Sequence, residues 1–108
     1  MLEALLGNAT AEKVLLYIEN YGEGYAQEIA NTFNISLNLV QCQLQRLEIG
    51  GILSSVKKGN TRIFQWNPRC AFKDELTALF RKELSFLSNE DQEKYFRRRN
   101  RPRRSGKP

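Results

Sequence analysis

Asn38, Gln41, Cys42 and Gln45 recur at intervals that place them on one side of a helix. Asn and Gln can make paired hydrogen bonds to the N6 and N7 edge of adenine in the major groove of DNA, so this row has the chemistry of a base-reading surface. Gln43 sits on its flank. Further along, Lys57, Lys58 and Arg62 surround Gly59-Asn60, a hairpin-turn dipeptide. Cations at such a tip suit phosphate oxygens. Asn38, Gln41, Cys42 and Gln45 are therefore the candidate base contacts. Ser36, Arg46, Lys57, Lys58, Asn60 and Arg62 are the candidate backbone contacts. A tip that is charged only because it is solvated would look the same in isolation; its position after a helix pair favours the binding reading. Glu28 and Glu48 nearby, with one arginine on the reading helix, argue for modest affinity.

Catalytic chemistry is not expected. There is no histidine, which removes the commonest general base and metal ligand. No glycine-rich phosphate loop follows a strand, and no nucleophile motif occurs. Glu90, Asp91 and Glu93 cluster as acids do at a helix start. Two cysteines, 28 positions apart and without histidine, make a poor metal site, so neither a metal nor a cofactor is expected. Cys42 reads as an inert small residue, or as a redox sensor helped only by Arg46 one turn away. Cys70 beside Arg69 has a slightly better setting for the same role. So few cysteines fit a reducing cytoplasm. The residues Met1 to Leu6 lack the features of a signal peptide, and no apolar run reaches membrane length.

The elements that would position the reading row follow from apolar spacing. Asn8 can cap a helix over Ala9–Tyr21 with Val14, Leu15, Ile18 and Tyr21 inward, ended by Gly22 and Gly24. Ala26, Ile29, Ala30 and Phe33 give the apolar face of the next helix. Asn34 can supply a left-handed turn. Ser36 can cap a third helix, with Ile35 and Val40 at the two positions of a hydrophobic staple. Val40, Leu44 and Leu47 would face the core, and Gly50-Gly51 would stop the helix. Ile52–Val56 and Arg62–Trp66 read as the strands of a hairpin. Asn67-Pro68 predicts the start of a long helix running to Leu87. Its apolar set includes Phe72, Leu76, Leu79, Phe80, Leu84, Phe86 and Leu87. That breadth fits either a wide core stripe or a dimer interface joined by Met1, Leu2, Leu5 and Leu6. Leu2, Leu5, Leu76, Leu79, Phe80 and Leu84 are the expected interface. Ser88 to Asp91 predicts a further short helix.

Charge is uneven along the 108 residues. Residues 1–88 balance at nine acids against nine bases, so the net +5 resides in the tail. Residues 49–73 carry five bases and no acid, which makes the hairpin a local basic island. Residues 94–108 carry eight bases and no acid. Beyond Asn100 nothing apolar remains to pack, and disorder is expected. Arg97, Arg98, Arg99, Arg101, Arg103 and Arg104 are candidate nucleic-acid contacts there, with a solvated tail as the other reading.

In LLGNATAEKVLLYI, QEIANTFNISLNLVQCQLQRLEIGGIL and GNTRIFQWNP the chain resembles the winged-helix domains of ArsR-type and MarR-type regulators. It is most similar to small ArsR-like domains found beside minimal nucleotidyltransferases, over roughly residues 2–87. The resemblance implies a mainly α fold with a small β-hairpin: a winged helix-turn-helix with a long C-terminal helix. It implies dimerisation through terminal helices. The absence of a Cys/His cluster departs from the metal sensors of the ArsR type. The expected organisation is a winged-helix domain with dimerisation helices over residues 1–88, then a short helix and basic tail over 89–108. The expected function is sequence-specific binding of double-stranded DNA by a homodimeric transcriptional regulator. Two other classes remain open, since fold alone does not fix function. One is an adaptor for an enzyme partner such as a nucleotidyltransferase. The other is an RNA-binding protein using the arginine tail.

Overall fold

The computed structural model describes residues 1–97. At its centre lies a helix over Ala9–Tyr21, here α2, following a single turn α1 over Glu3–Leu6. Asn8 caps α2 by accepting a hydrogen bond from the Ala11 amide at 2.9 Å. Val14, Leu15, Leu16, Tyr17 and Ile18 are all buried, a wider set than one amphipathic stripe. The reason is that α2 is sandwiched: the helices α3 (Ala26–Phe33), α4 (Leu37–Ile49) and α5 (Lys73–Phe86) and the hairpin all pack on it.

The α3–α4 turn follows from one residue. Asn34 adopts φ 56, and the Ile35 amide reaches back to the Ala30 carbonyl at 3.0 Å. This is a Schellman closure, and it satisfies carbonyls that the helix end would otherwise orphan. Ser36 then caps α4 by accepting from the Leu39 amide. The end of α4 repeats the device. Gly51 has φ 81, and the Ile52 amide donates to the Leu47 carbonyl at 2.9 Å. The left-handed residue is thus Gly51, while Gly50 keeps helical angles.

Strands β1 (Leu53–Lys58) and β2 (Thr61–Trp66) pair antiparallel, from Leu53 opposite Trp66 to Lys58 opposite Thr61. Both are longer than the sequence suggests, so Gly59-Asn60 is a two-residue turn with Gly59 at φ 63. Leu53, Phe64 and Trp66 turn inward. Gly24 belongs to this layer rather than only to the helix end. It exchanges both backbone hydrogen bonds with Phe64, at 3.0 and 2.8 Å. A Cβ there would lie 2.6 Å from the Tyr17 ring, so glycine lets the hairpin sit against α2.

One expectation about the C-terminal half needs correction. The long helix starts at Lys73, not beside Pro68. Asn67 spends its side chain elsewhere: its Oδ1 accepts from the Arg69 amide, and its Nδ2 donates to the Gly51 carbonyl. That Asx turn ties the hairpin's exit to the end of α4 instead of capping a helix. Packed structure continues past Ser88. After a short turn over Asn89–Asp91, residues Gln92–Phe96 form a π-helical turn that closes the core. Phe96 is buried, and Phe33 lies 5.1 Å from the Tyr95 ring and 5.8 Å from the Phe96 ring. Tyr21 Oη donates to the Tyr95 carbonyl and Asn20 Nδ2 to the Phe96 carbonyl. Arg98, Arg99, Arg101, Arg103 and Arg104 lie outside the described residues.

The face of α5 divides cleanly. Phe80 is fully buried against Trp66, with Leu76 and Leu84 partly buried beside it. Phe80 is therefore a core residue and cannot serve the interface expected of it. Phe72, Leu79 and Phe86, spaced by seven, stay exposed at 66%, 37% and 63%. Leu5 is likewise exposed, whereas Leu2 packs against the core.

A buried acid pair joins α2 to α5. Glu12 Oε2 accepts from the Leu2 amide at 2.7 Å and meets the Met1 amino group at 3.1 Å. Burial, then hydrogen bonding to Glu12 and its charge, push Glu83 up to about 7. Against its own burial, hydrogen bonds from Glu83, Leu2 and the terminal amine hold Glu12 below the ordinary carboxylate range. No helix among the described residues is long and apolar enough to cross a membrane.

Candidate nucleic-acid interface

The helix α4 buries Val40 and Leu44 and turns Asn38, Gln41, Cys42 and Gln45 to solvent. The apolar spacing fixes which side that is: Val40 and Leu44, at 0% and 1% exposure, face the core, so the opposite side faces out. The polar row expected from the sequence is thus a continuous exposed surface.

A cleft of about 550 Å³ separates this row from the hairpin. Gln41 and Gln45 line one wall; Asn60, Thr61 and Arg62 line the other. Asn38 and Cys42 are exposed but outside the cleft, nearer the outer face of α4. Lys57 and Lys58 project at the end of β1, opposite Arg62 and Thr61. Arg46 lies on another side: it donates to Gln43 Oε1 at 2.9 Å and borders a shallow apolar hollow with Leu6, Leu47 and Ile49. Ser36 spends its hydroxyl on the helix cap.

Three features were not legible as site residues. Leu37 and Leu39 are 36% and 51% exposed on the first turns of α4. Apolar groups there can meet thymine methyls. Tyr25 and Gln27, at the start of α3, line the floor of the cleft. Glu48 also lines it, and is bound through Ser55 to Arg62: Ser55 Oγ donates to Glu48 Oε2 at 2.7 Å and accepts from Arg62 Nη1 at 3.0 Å. Only the hairpin register brings Ser55 beside Arg62, and no spacing rule along the chain reveals it.

Elsewhere, Arg97 donates to Glu93 and Gln92, so this member of the basic tail is engaged in its own turn. Cys42 is exposed and Cys70 half-buried, both as free thiols. Among the described residues no three acidic, histidine or cysteine side chains converge on a metal-sized site.

The fold is shared by solved structures. The antimony-specific transcriptional repressor AntR superposes with a TM-score of 0.62 at 22% identity, over 84% of this chain and 78% of the repressor. YusO from Bacillus subtilis gives 0.59 at 21% identity, over 85% and 73% of the two chains. The transcriptional regulator Tm0710 from Thermotoga maritima gives 0.55 at 17% identity, over 86% and 71%. None of these names points to a nucleotidyltransferase. No protein-family model matches the chain, and no curated protein matches it in sequence. At such identities the likeness establishes the architecture: the chain has the winged helix-turn-helix fold found in transcriptional regulators.

Proposed function

We propose that this protein is a sequence-specific, double-stranded DNA-binding transcriptional regulator that acts as a homodimer. The observation that carries the reading is the cleft between α4 and the hairpin. Gln41 and Gln45 line one wall with side-chain amides, and Arg62 lines the other beside Asn60 and Thr61. In the proposed complex α4 lies in the major groove, with Gln41, Gln45 and Asn38 toward base edges and Cys42 among them. Lys57, Lys58, Asn60 and Arg62 take phosphates on the flank. The fold shared with known regulators supports the same reading.

The dimer is proposed from exposed apolar groups: Leu79 and Phe86 on α5, Phe72 at its N-cap, and Leu5 and Met1 in the N-terminal segment. Large apolar side chains are costly to leave in water. The interface in this proposal thus uses Leu79 and Leu5 with the two phenylalanines. Leu2, Leu76 and Leu84 act mainly from within the core, and Phe80 wholly so. Two-fold symmetry would place two copies of α4 about 34–36 Å apart, one DNA turn.

The experiment is selection of duplexes from a random-sequence pool by the full chain. Enrichment of a pseudo-palindromic sequence with half-sites about one turn apart is expected. Retention of all sequences alike would overturn the reading and leave phosphate attraction alone.

A further inference from the structure

We infer that Glu48 and Ser55 are positioning residues whose role is to hold Arg62 as the phosphate-binding cation of the cleft. The inference rests on the DNA-binding reading above and names a part of that site. The three residues come from three elements: Glu48 from the last turn of α4, Ser55 from β1, Arg62 from β2. The Ser55 hydroxyl is both donor and acceptor, and it spends each capacity once, donating to Glu48 at 2.7 Å and accepting from Arg62 at 3.0 Å. The reading helix and the wing are therefore joined by side chains across the cleft they enclose.

The link answers two electrostatic difficulties. In the hairpin register Arg62 stands directly opposite Lys57, a like-charge pair that favours swinging the guanidinium away. Ser55 draws it toward α4. Glu48 lines the same cleft, where a lone carboxylate would repel a phosphate. Through Ser55 its charge is met by that of Arg62. Arg62 is also the one cation among the described residues lining the cleft, with Gln41, Gln45, Asn60 and Thr61 as neutral neighbours. A guanidinium has five N–H donors, so the bond to Ser55 leaves donors for a phosphate. A fork already held by one hydrogen bond has less freedom left to lose on binding than one held by none.

The test is a double-mutant cycle on the full chain with a duplex recovered by selection. Affinity is measured as a function of salt. Arg62→Ala is expected to flatten the plot of log affinity against log salt by about 0.9, the value of one phosphate. Ser55→Ala is expected to weaken binding by about three- to tenfold and to flatten the slope part of the way. In the Arg62→Ala background Ser55→Ala should then change nothing, because it acts only through Arg62. Ser55→Thr, which keeps the hydroxyl on a strand, should restore wild-type behaviour. An equal loss from Ser55→Ala in both backgrounds, or no loss in either, overturns the positioning role while leaving DNA binding in place. A wild-type chain that shows no preference for the selected duplex overturns the DNA reading, and this inference with it.

Discussion

Replacing Glu83 by glutamine should stabilise the protein, and only on the alkaline side of its titration. Glu83 is 4% exposed, its Oε1 has no hydrogen-bond partner among the described residues, and it faces Glu12. Burial first, and Glu12 second, raise its carboxyl from 4.5 to about 7. A raised acid binds its proton more tightly in the folded state than in the unfolded one. Its favourable contribution is therefore fully present below about 4.5 and is lost as pH rises through about 7. A pKa unit is worth about 1.4 kcal/mol, so a rise from 4.5 to about 7 sets a ceiling of roughly 3–4 kcal/mol for complete ionisation. Glu12 and Glu83 titrate as a pair, and relaxation around them brings the expected figure to roughly 2 kcal/mol. Glutamine is neutral throughout and can still donate to Glu12. Urea unfolding followed by Trp66 fluorescence should thus show wild type and Glu83→Gln nearly equal at about pH 5, with the variant roughly 2 kcal/mol more stable at about pH 8. Glu12, whose carboxyl is lowered, acts in the opposite sense and in a different window: its contribution is lost as pH falls below 4.5. A difference between the two proteins that is the same at both pH values, or a variant less stable at pH 8, would refute the assignment.

Other consequences are open to direct measurement. Gly51→Ala should cost about 1–2 kcal/mol in the same unfolding assay, because φ 81 is a left-handed conformation; a neutral outcome would mean the Schellman closure is dispensable. Truncation after Ser88 removes Tyr95 and Phe96 and should lose several kcal/mol, on the scale of about 3–5 for one buried phenylalanine. Truncation after Arg97 leaves that core intact and should leave the melting temperature unchanged; a loss of salt dependence in DNA binding there would assign phosphate contacts to the tail. Leu79→Glu, placed among these exposed apolar groups, should convert a dimer to a monomer in light scattering without lowering helicity. A wild-type chain already monomeric at micromolar concentration would remove the proposed interface.

Local signals carried far in this chain. Asn8, Asn34 and Ser36 were legible because each acts on backbone groups within three to five residues of itself. The exposure of the polar row on α4 was legible for the same reason that Val40 and Leu44 are buried: a helix has one period, and fixing one face fixes the other. Failures came where a residue's use is decided far along the chain. Asn67 looks like a helix cap, yet its amide is drawn to Gly51, so the helix starts later. Phe80 shares its spacing with exposed neighbours, and only the position of Trp66 shows that it faces inward. Tyr95 and Phe96 sit in a charged segment with a helix-start signature, and their pairing with Phe33 spans some sixty residues. The Glu48–Ser55–Arg62 link has no sequence signature, because it arises from strand register.

The central claim is that α4 reads base edges through its exposed amides. The most direct measurement is the affinity of wild type, Gln41→Ala and Gln45→Ala for a selected duplex against the same duplex with single base-pair changes. Each glutamine is expected to lose discrimination at one position, by about 1–3 kcal/mol, while affinity for unrelated DNA stays as it was. If both variants keep the full wild-type ratio of selected to altered duplex, α4 does not read the sequence and the account is wrong.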